Sequence, residues 1–315
     1  IEADHRNTQA ALDQTQKCIQ DGALVLFEAA FRHEGVLVRV DVLTRESPQA
    51  PWDLVEVKSS TSVKDEHLND VAVQAWVMKG AKQKLRSCAV MVINNKCTYP
   101  DLSNLFSTTD VTQEAQDRER EVPQIVQAFQ KVLAHTAPPK RDIGPHCDDP
   151  YECPFKGHCW SGVGSPSIFD LPGMGKRAWE YYERGIVSLQ DPRLKGLKGK
   201  PARALQATRS NITWMDRAAI ADQMEEWKWP LHFLDFETFG PAIPRWKGTR
   251  PYEPVAFQFS CHIQQKAGGP LIHHEYLHDK AVDPRPALAF ALSEVIGPKG
   301  SIVAYNKGVE AAAIE

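Results

Sequence analysis

The stretch WDLVEVK, residues 52–58, constrains the fold more than any other in the chain. Its Val, Leu and Trp content reads as a β-strand, and side chains alternate along a strand. Glu56 and Lys58 therefore share one face, in line with Leu54. Opposite charges are expensive to bury in a core; on the floor of a cleft they are functional groups. Upstream, LVLFEAAF (24–31) and GVLVRVDVL (35–43) read as two more strands joined by turns. Downstream, Leu68, Val71, Ala75 and Met78 recur at helical spacing and predict a helix over 64–79. SCAVMVIN (87–94) reads as a buried strand, and a long amphipathic helix is expected from Thr112 to His135. This β-β-β-α-β order suits a mixed sheet with helices packed on it.

A chain of 315 residues is long for one core, so two domains are expected. Its 42% hydrophobic and 24% charged residues are those of a globular protein. No apolar run approaches the roughly 18 residues that span a bilayer. The polar start, IEADHRNTQAALDQTQ, is no signal peptide, so a cytoplasmic location and no membrane partner are expected. A net charge of −3 neither advertises nor excludes nucleic acid, because a local patch suffices to bind phosphates. Seven cysteines in that compartment argue for metal or catalysis rather than disulfides. The chain lacks an initial Met and stops at AAAIE within what reads as a starting helix, so both ends are expected to be cut from something longer.

Asp41 lies in VRVDVL on the strand before LVEVKSS, and adjacent antiparallel strands can bring it near Glu56. Two carboxylates and a backbone carbonyl make a hard oxygen site suited to Mg²⁺. A lysine on the same face then orients or deprotonates a metal-bound water for attack on phosphorus. The same pattern also occurs on solvated sheet faces that carry an ion pair. Asp41, Glu56-Val57-Lys58 and Gln74 in VAVQAWV together resemble the PD-(D/E)XK nuclease superfamily, and its RecB-like branch in particular. Trp76 stands where that branch more often has Tyr. The resemblance implies Asp41 and Glu56 as metal ligands with the Val57 carbonyl, Lys58 as catalytic and Gln74 as positioning the site. Glu28 matches a weaker acidic position and reads as structural.

Residues 138–166 are dense in Pro, Gly and Cys, a loop composition held by something other than a core. Cys147, Cys153 and Cys159 are spaced Cys-x₅-Cys-x₅-Cys, a set that a shared metal would order. Zinc with His146 or His158 is one reading. The other comes from resemblance to RecB-like nucleases with an iron–sulfur cluster, whose three late cysteines fall at this place. That implies a 4Fe–4S cluster, with a fourth ligand outside the chain or at Cys18. Cys88, Cys97 and Cys261 read as plain buried thiols.

LPGMGKRAWEYYERGI (171–186) resembles a helix-hairpin-helix unit, whose Gly-rich turn offers N–H groups to a phosphate. Six basic residues follow between Arg193 and Arg209 with no acidic residue among them; they extend that contact or form a solvated face. HFLDFETFG then places Asp235 and Glu237 on one strand face. Further strands are expected near 253–263 and 271–277, a helix near 285–296, and a strand at SIVAYN. Asp-x-Glu with IVAYNKGVE resembles the DEDD exonucleases of the RNase H-like (DnaQ-like) fold, in which the carboxylates hold two divalent ions. Glu310 and Val309 stand where that family has Asp and Phe.

Nearly the whole chain resembles a bacterial domain-of-unknown-function family that combines these parts. The expected fold is α/β: a PD-(D/E)XK (restriction-endonuclease-like) domain with its Cys-rich metal loop over 1–165, a basic helical linker over 166–228, and a C-terminally truncated RNase H-like domain over 229–315. The expected function is a Mg²⁺- or Mn²⁺-dependent nuclease acting on single-stranded DNA or duplex ends, in DNA repair or defence, with RNA a further partner. The other readings are an RNA-processing 3′–5′ exonuclease using the rear domain, and a nucleic-acid-binding scaffold whose sites no longer work, which the two departures near Glu310 suggest.

Overall fold

The computed structural model describes residue 1 and residues 6–314. Ile1–Leu133 and Trp227–Glu315 form one compact unit, and Ala134–Glu226 another. The chain opens with α1 (Thr8–Gln20), whose first turn is capped where the Asn7 side chain accepts the Ala10 N–H. β1 (Val25–His33) and β2 (Val36–Thr44) pair antiparallel. Their turn carries Glu34 at φ 44° and Gly35 at φ 81°, the two left-handed residues that match the twist of a two-residue hairpin. β3 (Trp52–Lys58), α2 (Asp65–Gly80) and β4 (Leu85–Ile93) follow, with β3 and β4 parallel, so α2 is a crossover helix.

β5 (Phe106–Asp110) completes a sheet of order β1-β2-β3-β4-β5. The expected long helix is two, α3 (Thr112–Glu119) and α4 (Val122–Leu133). Pro123 in the first turn of α4 has no N–H for a carbonyl of the preceding turn, so the helix restarts there. The core between α2 and the sheet contains Leu43, Trp52, Leu54, Val71, Met78 and Val90, all at most 2% exposed. α2 is buried nearly all round, by the sheet on one side and by Val122 and Val126 of α4 on another.

The 134–226 unit holds short helices: the single turn α5 (Lys156–Cys159), then α6 (Lys176–Glu183), α7 (Lys200–Ser210) and α8 (Arg217–Glu225). Its small core gathers Ile168, Leu171, Ile186, Leu189 and Leu194.

In the first unit, β6 (Leu231–Phe239), β7 (Val255–Gln264) and β8 (Leu271–Leu277) make an antiparallel meander, joined by α9 (Arg285–Val295), β9 (Ser301–Val303) and α10 (Lys307–Ile314). The sheet order is β8-β7-β6-β9, and β9 is parallel to β6. Only three residues of SIVAYN form strand, and residue 315 lies outside the described residues. The segment 246–253 fastens this second sheet to the first. The N–H of Gly248 donates to Tyr99 O and the N–H of Tyr99 to Thr249 O, both at 3.0 Å, while the Tyr252 hydroxyl donates to the Ser59 carbonyl. Among the described residues no helix is long and apolar enough to cross a membrane.

Candidate active site

β3 is the middle strand of its sheet and runs from the core toward the sheet's C-terminal end. Trp52 and Leu54 are buried on its inward face, and Glu56, next along that face, is buried too at 6% exposure. Glu56 thus closes the end of the core beneath α2, while the Lys58 side chain keeps about a quarter of its surface exposed. Two charge-assisted contacts make the burial affordable. Glu56 Oε1 lies 2.7 Å from Lys58 Nζ, and Oε2 accepts a hydrogen bond from Gln74 Nε2 at 2.7 Å. Gln74 Oε1 is buried and has no hydrogen-bond partner among the described residues. A bare acceptor of this kind costs about 1–3 kcal/mol unless a donor, water or cation completes it.

Asp41 arrives by a different device. The β2–β3 ladder ends at Val42 opposite Val55, and beyond it Asp41 Oδ2 accepts the Val57 N–H at 2.7 Å. The side chain takes over where the backbone ladder stops, holding Asp41 one residue from Glu56. Val57 contributes its N–H here. Glu28 is exposed on β1 with a left-handed φ of 54°.

Sequence reasoning missed Asp70. Its Oδ2 is 2.7 Å from Lys58 Nζ, so the ammonium bridges two carboxylates. The available signal was spacing: Asp70 and Gln74 are four apart on α2 and share one helix face. Burial alone would lower the Lys58 pKa, but hydrogen bonds to Asp70 and Glu56 outweigh it and hold the group above its ordinary value. Lys58 therefore stays a cation at neutral pH.

At the second sheet, Leu234 and Phe236 face the core while Asp235 and Glu237 are exposed on the other face of β6. Glu310, from the first turn of α10, is buried at 7% exposure and its Oε2 accepts the Phe236 N–H at 3.1 Å. Burial first, then Asp235 and Glu237, push its pKa up against the Phe236 N–H. A carboxyl raised in the folded state contributes stability that is fully present below its unfolded pKa near 4.3 and lost as pH rises through the folded value. Glu310→Gln keeps the acceptor and removes the charge. It should raise the melting temperature by about 1–3 °C at pH 7 and leave it unchanged near pH 3.5, as thermal melts at the two pH values would show.

In the 134–226 unit, Cys147 is buried and Cys153 and Cys159 are half-buried. Metal was expected to be what orders this loop, yet it also carries its own ties. The Cys153 N–H donates to Cys147 O at 2.8 Å, and Lys156 Nζ reaches Asp148 at 2.6 Å and Glu152 at 3.2 Å. Trp160, just after Cys159, packs edge-on to Phe169 with centroids 4.8 Å apart. The basic run is partly committed. Arg193 pairs with Asp191 at 2.7 Å, just outside the run, and Arg209 donates to the Leu189 and Asp191 carbonyls. Arg203 stacks on Trp214 at 4.6 Å. Cys88, Cys97 and Cys261 are buried, and burial pushes the Cys88 thiol up to about 11.

Among the described residues no three His, Cys, Asp or Glu side chains stand grouped in a metal-holding set. By donor type alone, the Asp41 and Glu56 carboxylates and the bare Gln74 Oε1 are oxygens a hard divalent ion takes, and cysteine thiolates are donors that iron–sulfur or zinc takes. Fold and sites together define a mixed α/β protein with two sheets, each presenting carboxylates at the end or face of a central strand. The family described as Domain of unknown function (DUF2779) matches residues 232–315, from β6 to the end of the chain. No curated protein matches the chain. A solved structure titled "Crystal structure of SSO0001" aligns at 10% identity with a TM-score of 0.19, over 41% of this chain and 59% of its own.

Proposed function

We propose that the chain is a metal-dependent DNA nuclease whose working site is Asp41, Glu56, Lys58 and Gln74 in a PD-(D/E)XK-type front domain. The observation that carries this reading is the buried Glu56, locked between Lys58 and Gln74 beside an unpartnered Gln74 Oε1. A carboxylate is not sequestered this way for stability alone, since replacing a buried ion pair by apolar residues is often neutral or stabilising. Mg²⁺ or Mn²⁺ held by Asp41 and Glu56 would supply Lewis-acid polarisation of the scissile phosphate and an activated water. The chain's own residues do the rest. Gln74 fixes the Glu56 carboxylate, the Val57 N–H fixes Asp41, and Asp70 steadies Lys58. The Lys58 ammonium then donates to the phosphate oxygen on which charge builds.

The Asp235, Glu237 and Glu310 group fits an auxiliary RNase H-like site that trims 3′ ends, and the three thiols fit a structural iron–sulfur cluster. Replacing Cys153 by serine should lower the iron and sulfide content of anaerobically purified protein at least about twofold; zinc in their place would show by elemental analysis. The activity test is degradation of end-labelled single- and double-stranded DNA with Mg²⁺ or Mn²⁺, with Lys58→Ala and Asp235→Ala run beside the parent. Loss with Asp235→Ala alone would move the chemistry to the second sheet.

A further inference from the structure

The parallel strands β3 and β4 end side by side, Lys58 opposite Val92, with the Ile93 N–H donating to Ser60 O at 3.0 Å. In open α/β sheets ligands bind outside the carboxyl ends of parallel strands. Here that edge opens on a cavity of about 720 Å³. Thr61, three residues past Lys58, and Asn95, two past the end of β4, line one side. The other side is the 246–253 segment, which brings Arg250. Its ties to Tyr99 and Ser59 fix that segment on both flanks, so Arg250 is presented from a held turn.

The chemistry of this cavity is that of an anion site. A guanidinium, a hydroxyl and a carboxamide line it together, and among the described residues none of the three side chains has a hydrogen-bond or ion-pair partner. The carboxylate present, Glu253, is already engaged: its Oε2 accepts the Arg250 N–H at 3.0 Å, and it lies close enough to Arg285 to raise that group's pKa. A planar guanidinium with free donors matches a phosphate's oxygens in forked geometry. Three residues of chain from Lys58 span at most about 10 Å, a distance of one to three nucleotide steps.

We propose that Arg250, Thr61 and Asn95 bind a backbone phosphate of the DNA strand, one to three nucleotides from the bond cut at Lys58. This rests on the nuclease reading. It assigns the second sheet's connecting segment a share in substrate binding for the first sheet's site.

The test is binding of a fluorescently labelled single-stranded DNA 20-mer to the full chain, read by anisotropy over a series of salt concentrations. All proteins carry Lys58→Ala so that the strand stays intact, and each must melt at the parent temperature. Arg250→Ala should weaken binding about five- to tenfold and lower the salt slope by about 0.7, the signature of one lost phosphate contact on a single strand. Arg250→Lys should restore most of the slope. Asn95→Asp, which sets a carboxylate where the phosphate sits, should weaken binding at least as much. Parent and Arg250→Ala binding with equal affinity and slope would overturn this assignment and leave the nuclease reading standing. A parent that binds no DNA would remove the nuclease reading and this inference together. Inorganic phosphate, titrated separately, distinguishes the source: tight phosphate binding lost in Arg250→Ala, with DNA binding unchanged, would make free phosphate the ligand and overturn the strand assignment.

Discussion

Lys58→Ala is expected to lower Mg²⁺-dependent cleavage of DNA by about 10²–10³-fold, the usual loss when one donor to developing charge is removed. The residue is anchored on both sides, by Glu56 Oε1 and Asp70 Oδ2, each 2.7 Å from its Nζ. Anchoring of that kind removes the rotamer freedom a lysine otherwise keeps, so the ammonium is in place before substrate arrives. Lys58→Arg keeps the charge but carries a planar fork in place of a compact point charge, and should recover only part of the rate. Single-turnover rates of parent, Ala and Arg variants measure this. A Lys58→Ala protein that still cuts at the parent rate would discard the β3 site.

The second large effect concerns stability. Trp52 is 2% exposed at the base of the same strand, and the guanidinium carbon of Arg45 sits 4.1 Å from its ring centroid. Arg45 is itself 8% exposed and is satisfied by carbonyls, its Nε by Ala23 O at 2.8 Å and one terminal nitrogen by Pro48 O at 2.6 Å. Trp52→Ala removes the largest fully buried side chain of the core and strips the cation of its aromatic cover. The expected cost is about 3–5 kcal/mol, a large share of a domain's stability of about 5–15 kcal/mol. Urea unfolding would show it as a fall in midpoint. Trp52→Phe, which keeps a ring under Arg45, should lose less than half as much.

The sequence exposed those elements whose burial is strong. β3 and α2 carry apolar residues at periods of 2 and 3.6, and the expected spans fall within a residue of Trp52–Lys58 and Asp65–Gly80. α1 went unread because only Ala11 and Thr15 of it are buried, too narrow a stripe to show as periodicity. β5 is exposed along its whole length and reads as loop. α7 and α8 are polar and bury two residues and none. Of the site, the alternation on β3 put Glu56 and Lys58 side by side, and two features stayed hidden. One is the burial of Glu56, which depends on α2 as a roof. The other is Asp70, whose significance appears only once the crossover helix lies against Lys58. The spacing of basic residues over 193–209 likewise concealed that Asp191, just outside, engages Arg193 and through its carbonyl Arg209.

The tie between Tyr252 and Ser59 joins residues 193 apart in the chain. At a synthesis rate of about 5–20 residues per second, Tyr252 emerges some 10–40 s after Ser59. The five strands of the first sheet and their core residues all precede residue 134, so the whole of this sheet is synthesised while its outer partner is still unmade. Throughout that interval the ends of β3 and β4 stand without the segment that later covers them. On the ribosome, then, the residues of the Glu56–Lys58 pair are made early, and the Arg250 side of the neighbouring cavity is made last.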